Sequence, residues 1–235
     1  MPSLSDPIKL FVTGTDTDVG KSVVSYLLLN VMQKTGLAPR YLKPLQTGCV
    51  GPDDPEADAA FIAGRFESVI PEESTLYCLP QPKAPWLAAL DAGQTIETGQ
   101  LLQKLTTLKK GSRSLVIEGA GGVMVPITED FLMLDLMAGL EIPVIIVARD
   151  GLGTINHTLL SIEALKRRGI PIRGVVFTAQ SKEPTPPEMV AENQMAVEHF
   201  SGVPVVGSIE WIEDFGRIPT RVEKTVKKLL NLPLF

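Results

Sequence analysis

A short stretch near the N-terminus, GTDTDVGKS at residues 14–22, has the residue types of a phosphate-binding loop. Such a loop has one glycine, four further residues and then Gly-Lys-Ser or Gly-Lys-Thr. Counted back from the Gly-Lys-Ser triplet at 20–22, the first glycine is expected at Thr15, whereas the chain has Gly14 one residue earlier. An apolar run precedes the stretch and another follows it, which favours a nucleotide loop between a strand and a helix over an ordinary capped turn.

The lysine and the serine of this stretch have distinct chemistry. Lys21 can reach the terminal phosphate oxygens of a nucleotide, and Ser22 can offer its hydroxyl to Mg²⁺. The helix expected to begin near Lys21 directs its positive end at the same phosphates. Asp16 and Asp18 are unfavourable neighbours of a triphosphate, so they must point away from it, bind magnesium or hold a substrate cation.

A second lysine, Lys43, stands in YLKPLQTG at residues 41–48, where the second apparent strand ends. At that edge it can neutralise negative charge on a phosphoryl group during transfer. The alternative, favoured for an isolated lysine, is a surface residue after a strand. Thr47 and Gly48 supply a hydroxyl on a flexible turn of the same segment.

Two carboxylates are candidate magnesium ligands. Glu118 ends the buried-looking strand of SLVIEGAGG and precedes small residues that let the backbone approach a ligand closely. A carboxylate at the carboxyl end of a strand is well placed for Mg²⁺, although an exposed glutamate in a glycine-rich turn is the alternative. Asp58, in DDPEADAAF, is the second candidate, and its alternative is an ordinary acid near a helix start.

A further motif, GLGTINHTLL at residues 151–160, indicates a strand-end loop that enters a helix. Gly153 allows close approach of a ligand, and free N–H groups of Thr154, Ile155 and Asn156 can receive a carboxylate. The alternative for Asn156 is a helix cap without a ligand.

These motifs follow short apolar runs that alternate with helical patterns. The predicted strands are 8–13, 40–44, 114–119, 143–148, 172–177 and 203–209. The predicted helices are about 21–36, 55–65, 83–92, 98–110, 131–140, 154–168, 186–200 and 219–231. The alternation predicts an α/β fold with a doubly wound, mostly parallel sheet flanked by helices. Ligands of such sheets bind beyond the carboxyl ends of the strands, where the motifs stand.

The composition suits one compact domain, residues 1–235, with 44% hydrophobic and 21% charged residues. The formal net charge of −5 argues against nucleic-acid binding, which needs clustered Lys and Arg. The two cysteines belong to no metal-binding spacing. The first residues lack a secretory pattern, and no apolar stretch approaches the roughly 20 residues of a membrane span, so we expect a soluble cytoplasmic protein without a membrane partner.

Taken in order, the motifs GTDTDVGKS, KPLQTG, EGAGG and GLGTINHTLL resemble the dethiobiotin synthetase family over nearly the whole chain. The displaced first glycine is typical of that family and of related ATP-dependent carboxylate-amidating enzymes. The resemblance implies a fold of the phosphate-loop NTPase type and an ATP-dependent cyclo-ligase of biotin biosynthesis. It implies a reaction of ATP, Mg²⁺, CO₂ and 7,8-diaminopelargonic acid, through a carbamate and a carbamic–phosphoric anhydride, that yields dethiobiotin, ADP and phosphate.

The resemblance also implies individual roles. Lys43 and Lys21 are expected to be catalytic because they offset the repulsion between two anionic reactants. Thr47 is expected on the carbamate or diamine. The substrate carboxylate is expected on a segment from the second subunit of a homodimer, namely Gly153, Thr154, Ile155 and Asn156. The ATP site is expected to comprise Asp18, Val19, Gly20, Lys21, Ser22, Val23, Asp58, Glu118, Gly119, Ala120, Gly121, Thr178 and Trp211. The magnesium ligands are expected to be Ser22, Asp58 and Glu118.

The chain departs from the family pattern on the adenine side. Thr178-Ala179 stands where Asn-Asp is common, and Glu210-Trp211-Ile212 stands where Pro-Trp-Leu is common. Because a hydroxyl cannot make the two-sided contact of an amide, we expect weak base discrimination, with other nucleoside triphosphates accepted. Asn193 stands where some relatives have a tyrosine that contacts the substrate.

Two other functions fit parts of the pattern. A related amide- or ring-forming ligase of the cobyrinate type usually carries a glutamine amidotransferase domain, for which 235 residues leave no room. A partner-regulated ATPase switch usually has an additional lysine early in the loop, where this chain has Asp16 and Thr17. Dependence of ATP hydrolysis on a small diamine and bicarbonate, or on a macromolecular partner, separates these functions.

Overall fold

The computed structural model describes residues 7–111 and 113–235, so part of the N-terminal segment inspected for a secretory signal lies outside the described residues. The strands are β1 (Lys9–Gly14), β2 (Arg40–Leu42), β3 (Leu45–Thr47), β4 (Tyr77–Leu79), β5 (Leu115–Gly122), β6 (Val144–Arg149), β7 (Ile172–Thr178) and β8 (Val205–Ile209). The helices are α1 (Lys21–Lys34), α2 (Asp58–Ala63), α3 (Pro71–Ser74), α4 (Pro85–Asp91), α5 (Thr98–Lys109), α6 (Met133–Leu140), α7 (Thr154–Arg167), α8 (Pro187–Ser201) and α9 (Thr220–Leu230).

Six strands form one parallel sheet in the order β2-β5-β1-β6-β7-β8. The chain first builds the sheet on one side of β1 and then, after β5, continues on the other side. This reversal at β1 makes the carboxyl end of that strand the switch point at which ligands bind in open α/β sheets. The loop at 14–22 starts at that point.

Helices cover both faces of the sheet, which explains why its strands are apolar without alternation. Side chains of α1, α2 and α9 form one core with one face of the strands. Side chains of α4 to α8 form the other core with the opposite face. In β1, for example, Leu10 and Val12 point into the first core and Phe11 into the second, all without solvent access. The predicted doubly wound, mostly parallel sheet flanked by helices is confirmed.

Every predicted strand and helix has a counterpart in the structure, which also contains three short elements that were not predicted. The strand pair β3 and β4 and the single-turn helix α3 were not predicted. Three-residue strands carry too little periodicity to be detected, and Pro44 separates β3 from β2. The pair matters because it carries Thr47 to the edge of the main sheet. Among the helices of residues 7–111 and 113–235, none has the length and apolar character that crossing a bilayer requires.

Burial predicts which leucines stabilise this fold. Leu140 of α6 is fully buried, whereas Leu90 of α4 is 61% exposed. We expect Leu140→Ala to lower the free energy of unfolding by about 2–5 kcal/mol, because it removes apolar contacts and leaves a cavity. The matched change Leu90→Ala is expected to alter it by no more than about 0.5 kcal/mol. Urea unfolding of both variants checks this, and equal losses would contradict the assigned core.

Candidate nucleotide and metal site

The first glycine of the loop lies at Gly14 because the chain folds back on that residue. A Cβ at Gly14 would lie 2.6 Å from the carbonyl oxygen of Asp16 and 2.7 Å from the side chain of Val19. Any larger residue would therefore collide with the loop itself. The N–H of Thr15 donates to the carbonyl of Val147 in β6 at 2.9 Å, which fixes the next residue to the sheet. The displaced glycine is thus a requirement of this loop geometry.

The loop enters α1 through two residues with left-handed backbone. Asp18 has a φ of 55° and Gly20 a φ of 84°, a conformation that glycine adopts without steric cost. The carbonyl between them, on Val19, accepts a hydrogen bond from the Thr178 hydroxyl at 2.6 Å. Because α1 begins at Lys21, the positive end of its dipole lies at the loop.

Lys21 is buried against the loop that precedes it. Its Nζ donates to the carbonyl oxygen of Asp16 at 3.0 Å. Burial lowers the pKa of Lys21, and the cation of Lys43 lowers it further. The carboxylate of Asp16 lies 2.8 Å from Nη2 of Arg149 at the end of β6. The negative charge of Asp16, one of the two loop acids to which the sequence assigned no role, is therefore compensated by Arg149.

Glu118 is fully buried at the centre of a polar network. Its Oε1 lies 2.9 Å from Ser22 Oγ and accepts from Lys43 Nζ at 3.0 Å. Its Oε2 accepts from Ser25 Oγ at 2.8 Å and from Tyr41 Oη at 3.0 Å. Four polar neighbours match the acceptor capacity of a carboxylate, which is how this group is tolerated without solvent. The alternative of an exposed glutamate in a turn is wrong.

Lys43 lies between the two carboxylates that were predicted as magnesium ligands, Asp58 and Glu118. Its side chain is 4% exposed, and its Nζ is 2.6 Å from Asp58 Oδ2 and 3.0 Å from Glu118 Oε1. The same ammonium donates to the carbonyl oxygen of Gly119 at 3.0 Å. The hydroxyl of Ser22 lies within hydrogen-bond distance of both carboxylates, and its single proton can be donated to one of them at a time. The alternative of a surface lysine is therefore wrong for Lys43.

The charges of this cluster shift one another's pKa values. Burial alone would lower the pKa of Lys43, but the carboxylates of Asp58 and Glu118 outweigh it and raise that pKa above the ordinary lysine value. Burial would raise the pKa of Asp58, yet the Lys43 cation holds it below the usual aspartate value. Burial raises the pKa of Tyr41 well above its ordinary value, and the Glu118 charge adds to the effect. At neutral pH Lys43 is protonated, Asp58 is ionised and Tyr41 is neutral.

A cavity of about 970 Å³ opens beside the cluster, near the upper limit of about 1,000 Å³ for small-ligand sites. Both predicted catalytic lysines and the substrate candidate Thr47 line it. The other predicted residues in its wall are Asp18, Gly20, Ser22, Val23, Asp58, Ala120, Gly121, Thr178 and Trp211. Elements distant in sequence, from the loop at 14–22 to the end of β8, thus converge on one space.

Three residues predicted to contact the nucleotide stand outside the lining of this cavity. Val19 belongs to the core that α1 forms with the sheet, and only its carbonyl contributes, through Thr178. Glu118 lies behind its polar neighbours, without solvent access. Gly119 lies against the ring of Phe11, where an added Cβ would be 2.9 Å from an aromatic carbon. These residues support the site instead of forming its surface.

The segment predicted to hold a substrate carboxylate, Gly153–Asn156, does not line this cavity in its own chain. Thr154 is buried, and its N–H donates to the carbonyl of Gly151 at 3.4 Å, so the prediction of a free N–H there is wrong. The N-cap of α7 is Gly153, with a φ of 88°, which excludes Asn156 as the cap. Ile155 and Asn156 lie in the first turn of α7, where N–H groups lack an intrahelical acceptor.

Hydrogen bonds from Asn193 fix the turn that leads into α7. Asn193 is buried, and its Nδ2 donates to the carbonyls of Asp150 at 3.0 Å and Gly151 at 3.3 Å. The buried carboxylate of Asp150 accepts from the hydroxyls of Thr185 at 2.8 Å and Ser208 at 3.1 Å. Asn193 therefore fixes the turn, which is a different task from that of a substrate-contacting tyrosine.

The oxygen atoms of the cluster fit Mg²⁺. The Asp58 side chain is 30% exposed beside the hydroxyl of Ser22, and Glu118 lies on the other side of that hydroxyl. Mg²⁺ is usually held by one or two carboxylates together with waters and substrate phosphates. Among the described residues no three His, Cys, Asp or Glu side chains cluster as a metal site.

Sequence reasoning missed the residues that orient the predicted ones. Ser25 and Tyr41 donate to Glu118, and the Oε1 of Gln46 accepts the N–H of Asp58 at 3.1 Å. Ser25 follows Ser22 by three residues on α1, a spacing that shares one helix face and could have identified it. Gln46 gave no such signal, because β3 was not predicted.

Comparisons with known proteins agree with this geometry. A family model described as an AAA domain matches residues 9–218. The ATP-dependent dethiobiotin synthetase BioD of Bacillus cereus (strain G9842) is 39% identical over 206 residues, 86% of this chain and 83% of that protein. The protein of the same name from Paramagnetospirillum magneticum is 42% identical over 201 residues, 86% of this chain and 87% of that protein. The chain belongs to the dethiobiotin synthetase family.

Membership in the dethiobiotin synthetase family confirms the predicted class of ATP-dependent ligase. A longer relative, the biotin biosynthesis bifunctional protein BioCD of Bordetella avium, is 42% identical over 209 residues, which are 88% of this chain and 40% of that protein. This chain therefore corresponds to one part of the bifunctional protein.

Two solved structures share the fold of this dethiobiotin synthetase family member. A ParA family ATPase from Chlorobium tepidum has a TM-score of 0.53 and 11% identity, covering 96% of this chain and 91% of the other. A putative plasmid partition protein from Borrelia burgdorferi, bound to AMPPNP, has a TM-score of 0.58 and 12% identity, covering 96% and 97%. At such identities the likeness concerns the fold alone, and it agrees with the predicted doubly wound α/β fold.

The shifted pKa of Asp58 predicts how this family member responds to acid. Because the folded pKa lies below the unfolded value of about 3.9, the stability that Asp58 contributes is present above that pH and is lost as the pH falls through the folded pKa. We expect the difference in unfolding free energy between wild type and Asp58→Asn to be constant from about pH 6 to 8 and to shrink below about pH 4. Urea unfolding over this range measures it.

The control for this prediction is Asp91→Asn, which breaks an exposed ion pair with Lys83. Its effect is expected to stay below about 1 kcal/mol at every pH. A difference between wild type and Asp58→Asn that grows as the pH falls would contradict the assigned pairing.

Proposed function

We propose that this chain forms dethiobiotin from 7,8-diaminopelargonic acid, CO₂ and ATP in a Mg²⁺-dependent reaction, with ADP and phosphate as the other products. The observation that carries the proposal is the convergence of two buried lysines, Lys21 and Lys43, with Asp58 and Thr47 on one cavity. Family membership supplies the substrates, since relatives are named ATP-dependent dethiobiotin synthetases. We propose further that residues 1–235 act as one domain, and the cytoplasmic location stays a prediction.

The nucleotide phosphates are proposed to bind at the loop that precedes α1. The positive end of α1 and the ammonium of Lys21 attract them, and the loss of solvent that lowers the pKa of Lys21 strengthens that attraction. Ser22 and Asp58, which line the cavity, are proposed to hold Mg²⁺, while the buried Glu118 orients Ser22 and Lys43; when bound, the ion would neutralise charge on the phosphate oxygens. The fit of the Ser22 and Asp58 oxygens supports this assignment.

Lys43 is proposed to act as a fixed positive charge. Its raised pKa keeps the side chain protonated, which argues for electrostatic stabilisation and against a role as general base. In the proposed reaction one amine takes up CO₂ as a carbamate, whose oxygen attacks the γ-phosphorus while ADP leaves. The second amine then attacks the carbonyl carbon of the carbamic–phosphoric anhydride and expels phosphate. The repulsion between the carbamate and the γ-phosphate is what a cation at Lys43 offsets.

A homodimer with a shared substrate site is proposed next. Ile155 and Asn156, at the N-terminal turn of α7, do not line the cavity of their own chain. The exposed side chain of Leu152 beside them, 89% accessible, leaves this segment free to meet another copy. We propose that the segment of one subunit binds the carboxylate tail of the substrate in the cavity of the other.

The first prediction of this proposal concerns Lys43. We expect Lys43→Ala to slow diamine- and bicarbonate-dependent phosphate release from MgATP by about 10²–10³-fold, because developing negative charge loses its counter-charge. Measured nucleotide affinity is expected to change much less, since Lys21 and the loop remain. Lys104→Ala, on the exposed side of α5, is the matched control with wild-type turnover.

Two outcomes of that experiment would count against the proposal. A Lys43→Ala enzyme with near-normal rate would remove Lys43 from its role. Phosphate release that needs no diamine but responds to a macromolecular partner would favour the ATPase switch, which the likeness to partition proteins supports only as a fold.

Mixing two inactive variants tests the shared site. Lys43→Ala and Asn156→Ala each impair both sites of their own homodimer. If the site combines Lys43 of one subunit with Asn156 of the other, each mixed dimer regains one intact site, and random exchange restores about a quarter of wild-type activity. Steady-state phosphate release after subunit exchange measures this. Recovery no greater than the sum of the two separate activities would contradict the shared site.

A further inference from the structure

Gln180 is an exposed residue at the edge of the cavity, and two hydrogen bonds orient its side-chain amide. Its Nε2 lies 3.1 Å from the carbonyl oxygen of Thr178 and 3.2 Å from Oγ1 of the same residue. The Thr178 hydroxyl uses its single proton on the carbonyl of Val19, at 2.6 Å, so toward Gln180 it can only accept. Both neighbours are therefore acceptors, and the amide nitrogen must face them.

The amide oxygen of Gln180 therefore points away from Thr178. Among the described residues none donates a hydrogen bond to this oxygen, whereas the nitrogen has two acceptors. Gln180 lines the cavity together with Ala179 and Trp211. The wall of the cavity thus contains both an amide acceptor and an aromatic side chain, a combination that suits a flat base with an amino group.

A chain of hydrogen bonds fixes the distance between this acceptor and the phosphate loop. Val19, within the loop, accepts from Thr178, and Thr178 in turn accepts from Gln180. A Cβ at Gly20 would lie 3.3 Å from the Thr178 side chain, which shows how closely the loop and the end of β7 approach. Because Gln180 lines the same cavity as Lys21, we take a nucleotide with its phosphates on the loop to extend its base toward Gln180.

We infer that Gln180 selects the base of the nucleotide by accepting a hydrogen bond from an exocyclic amine. Adenine and cytosine both present an amino group at this edge, whereas guanine and uracil present a carbonyl oxygen. The oxygen of Gln180 stabilises the first pair and leaves two acceptors facing each other with the second. The inference rests on the proposed function, because it assumes that the triphosphate occupies the loop.

The sequence predicted weak discrimination among all bases. The inference instead expects discrimination between bases with an amino group and bases with a keto group at the edge that faces Gln180. The hydroxyl of Thr178 is engaged inside the protein, and the methyl of Ala179 has no polar atom, so neither reads the base. Gln180 distinguishes amino bases from keto bases but not adenine from cytosine. The expected order is therefore ATP and CTP together, with GTP and UTP weaker.

Equilibrium binding of the Mg²⁺ complexes of ATP, CTP, GTP and UTP tests the inference, with diamine-dependent phosphate release measured on the same samples. For wild type we expect both amino nucleotides to bind about tenfold or more tightly than either keto nucleotide, with ATP and CTP within about fivefold of each other. Gln180→Leu is expected to weaken ATP and CTP by about 3–10-fold and to leave GTP and UTP nearly unchanged. The ratio of amino to keto affinity therefore falls.

Two further variants separate base reading from other effects. Thr178→Val removes the hydroxyl that anchors the amide and is expected to lower the same ratio. Gln103→Leu, an equivalent change on the exposed side of α5, is the matched control and keeps the wild-type ratio.

The inference is overturned if wild type binds all four nucleotides alike, or if Gln180→Leu retains the wild-type ratio. Turnover separates this failure from a failure of the proposed function. If all four nucleotides bind with equal affinity while diamine-dependent phosphate release is intact, only the role of Gln180 is contradicted. If the protein neither binds nucleotides nor turns over substrate, both the proposed function and the inference are contradicted.

Discussion

The ammonium of Lys43 lies within 3.0 Å of two carboxylates and has almost no access to solvent. Removing one partner of such a buried pair leaves an uncompensated charge, at a cost of about 3–5 kcal/mol. The protein offsets desolvation with further contacts, since Ser22, Ser25 and Tyr41 surround Glu118 as well. The site therefore exists as charged and satisfied before any ligand binds, and its parts depend on each other for stability as well as for chemistry.

The strand order explains how these groups meet. Lys43 follows the edge strand β2, Glu118 belongs to the neighbouring β5, and the loop with Ser22 follows β1 beside it. All three strands run parallel, so their carboxyl ends share one edge of the sheet. On the other side of β1, the ends of β7 and β8 bring Thr178 and Trp211 to the same cavity. A nucleotide proposed to bind there spans the switch point of the sheet.

Sequence alone predicted the parts of this site that carry a local signature. The loop at 14–22, the acid Glu118 and the helix α7 each have a recognisable pattern, and the elements around them were placed within a few residues. The prediction that Glu118 ends its strand was wrong, because β5 continues to Gly122. The patterns did not reveal that Lys43 pairs with Asp58, because that contact joins segments brought together only by tertiary packing. The same holds for Gln180, whose amide is oriented by a hydroxyl, Thr178, that is itself bound to the loop. Thr154 shows the opposite error, since its position suggested a free N–H that the turn already uses.

The protonation state of Lys43 tests the central claim most directly. In protein labelled with ¹⁵N at lysine Nζ, the Lys43 resonance can be assigned by its absence in Lys43→Arg and followed as the pH rises. Because the neighbouring carboxylates raise its pKa, Lys43 is expected to keep the ammonium form up to pH 10.5, the ordinary lysine value. Deprotonation of Lys43 well below that pH would contradict a fixed cation between Asp58 and Glu118, and with it the electrostatic role assigned to this residue.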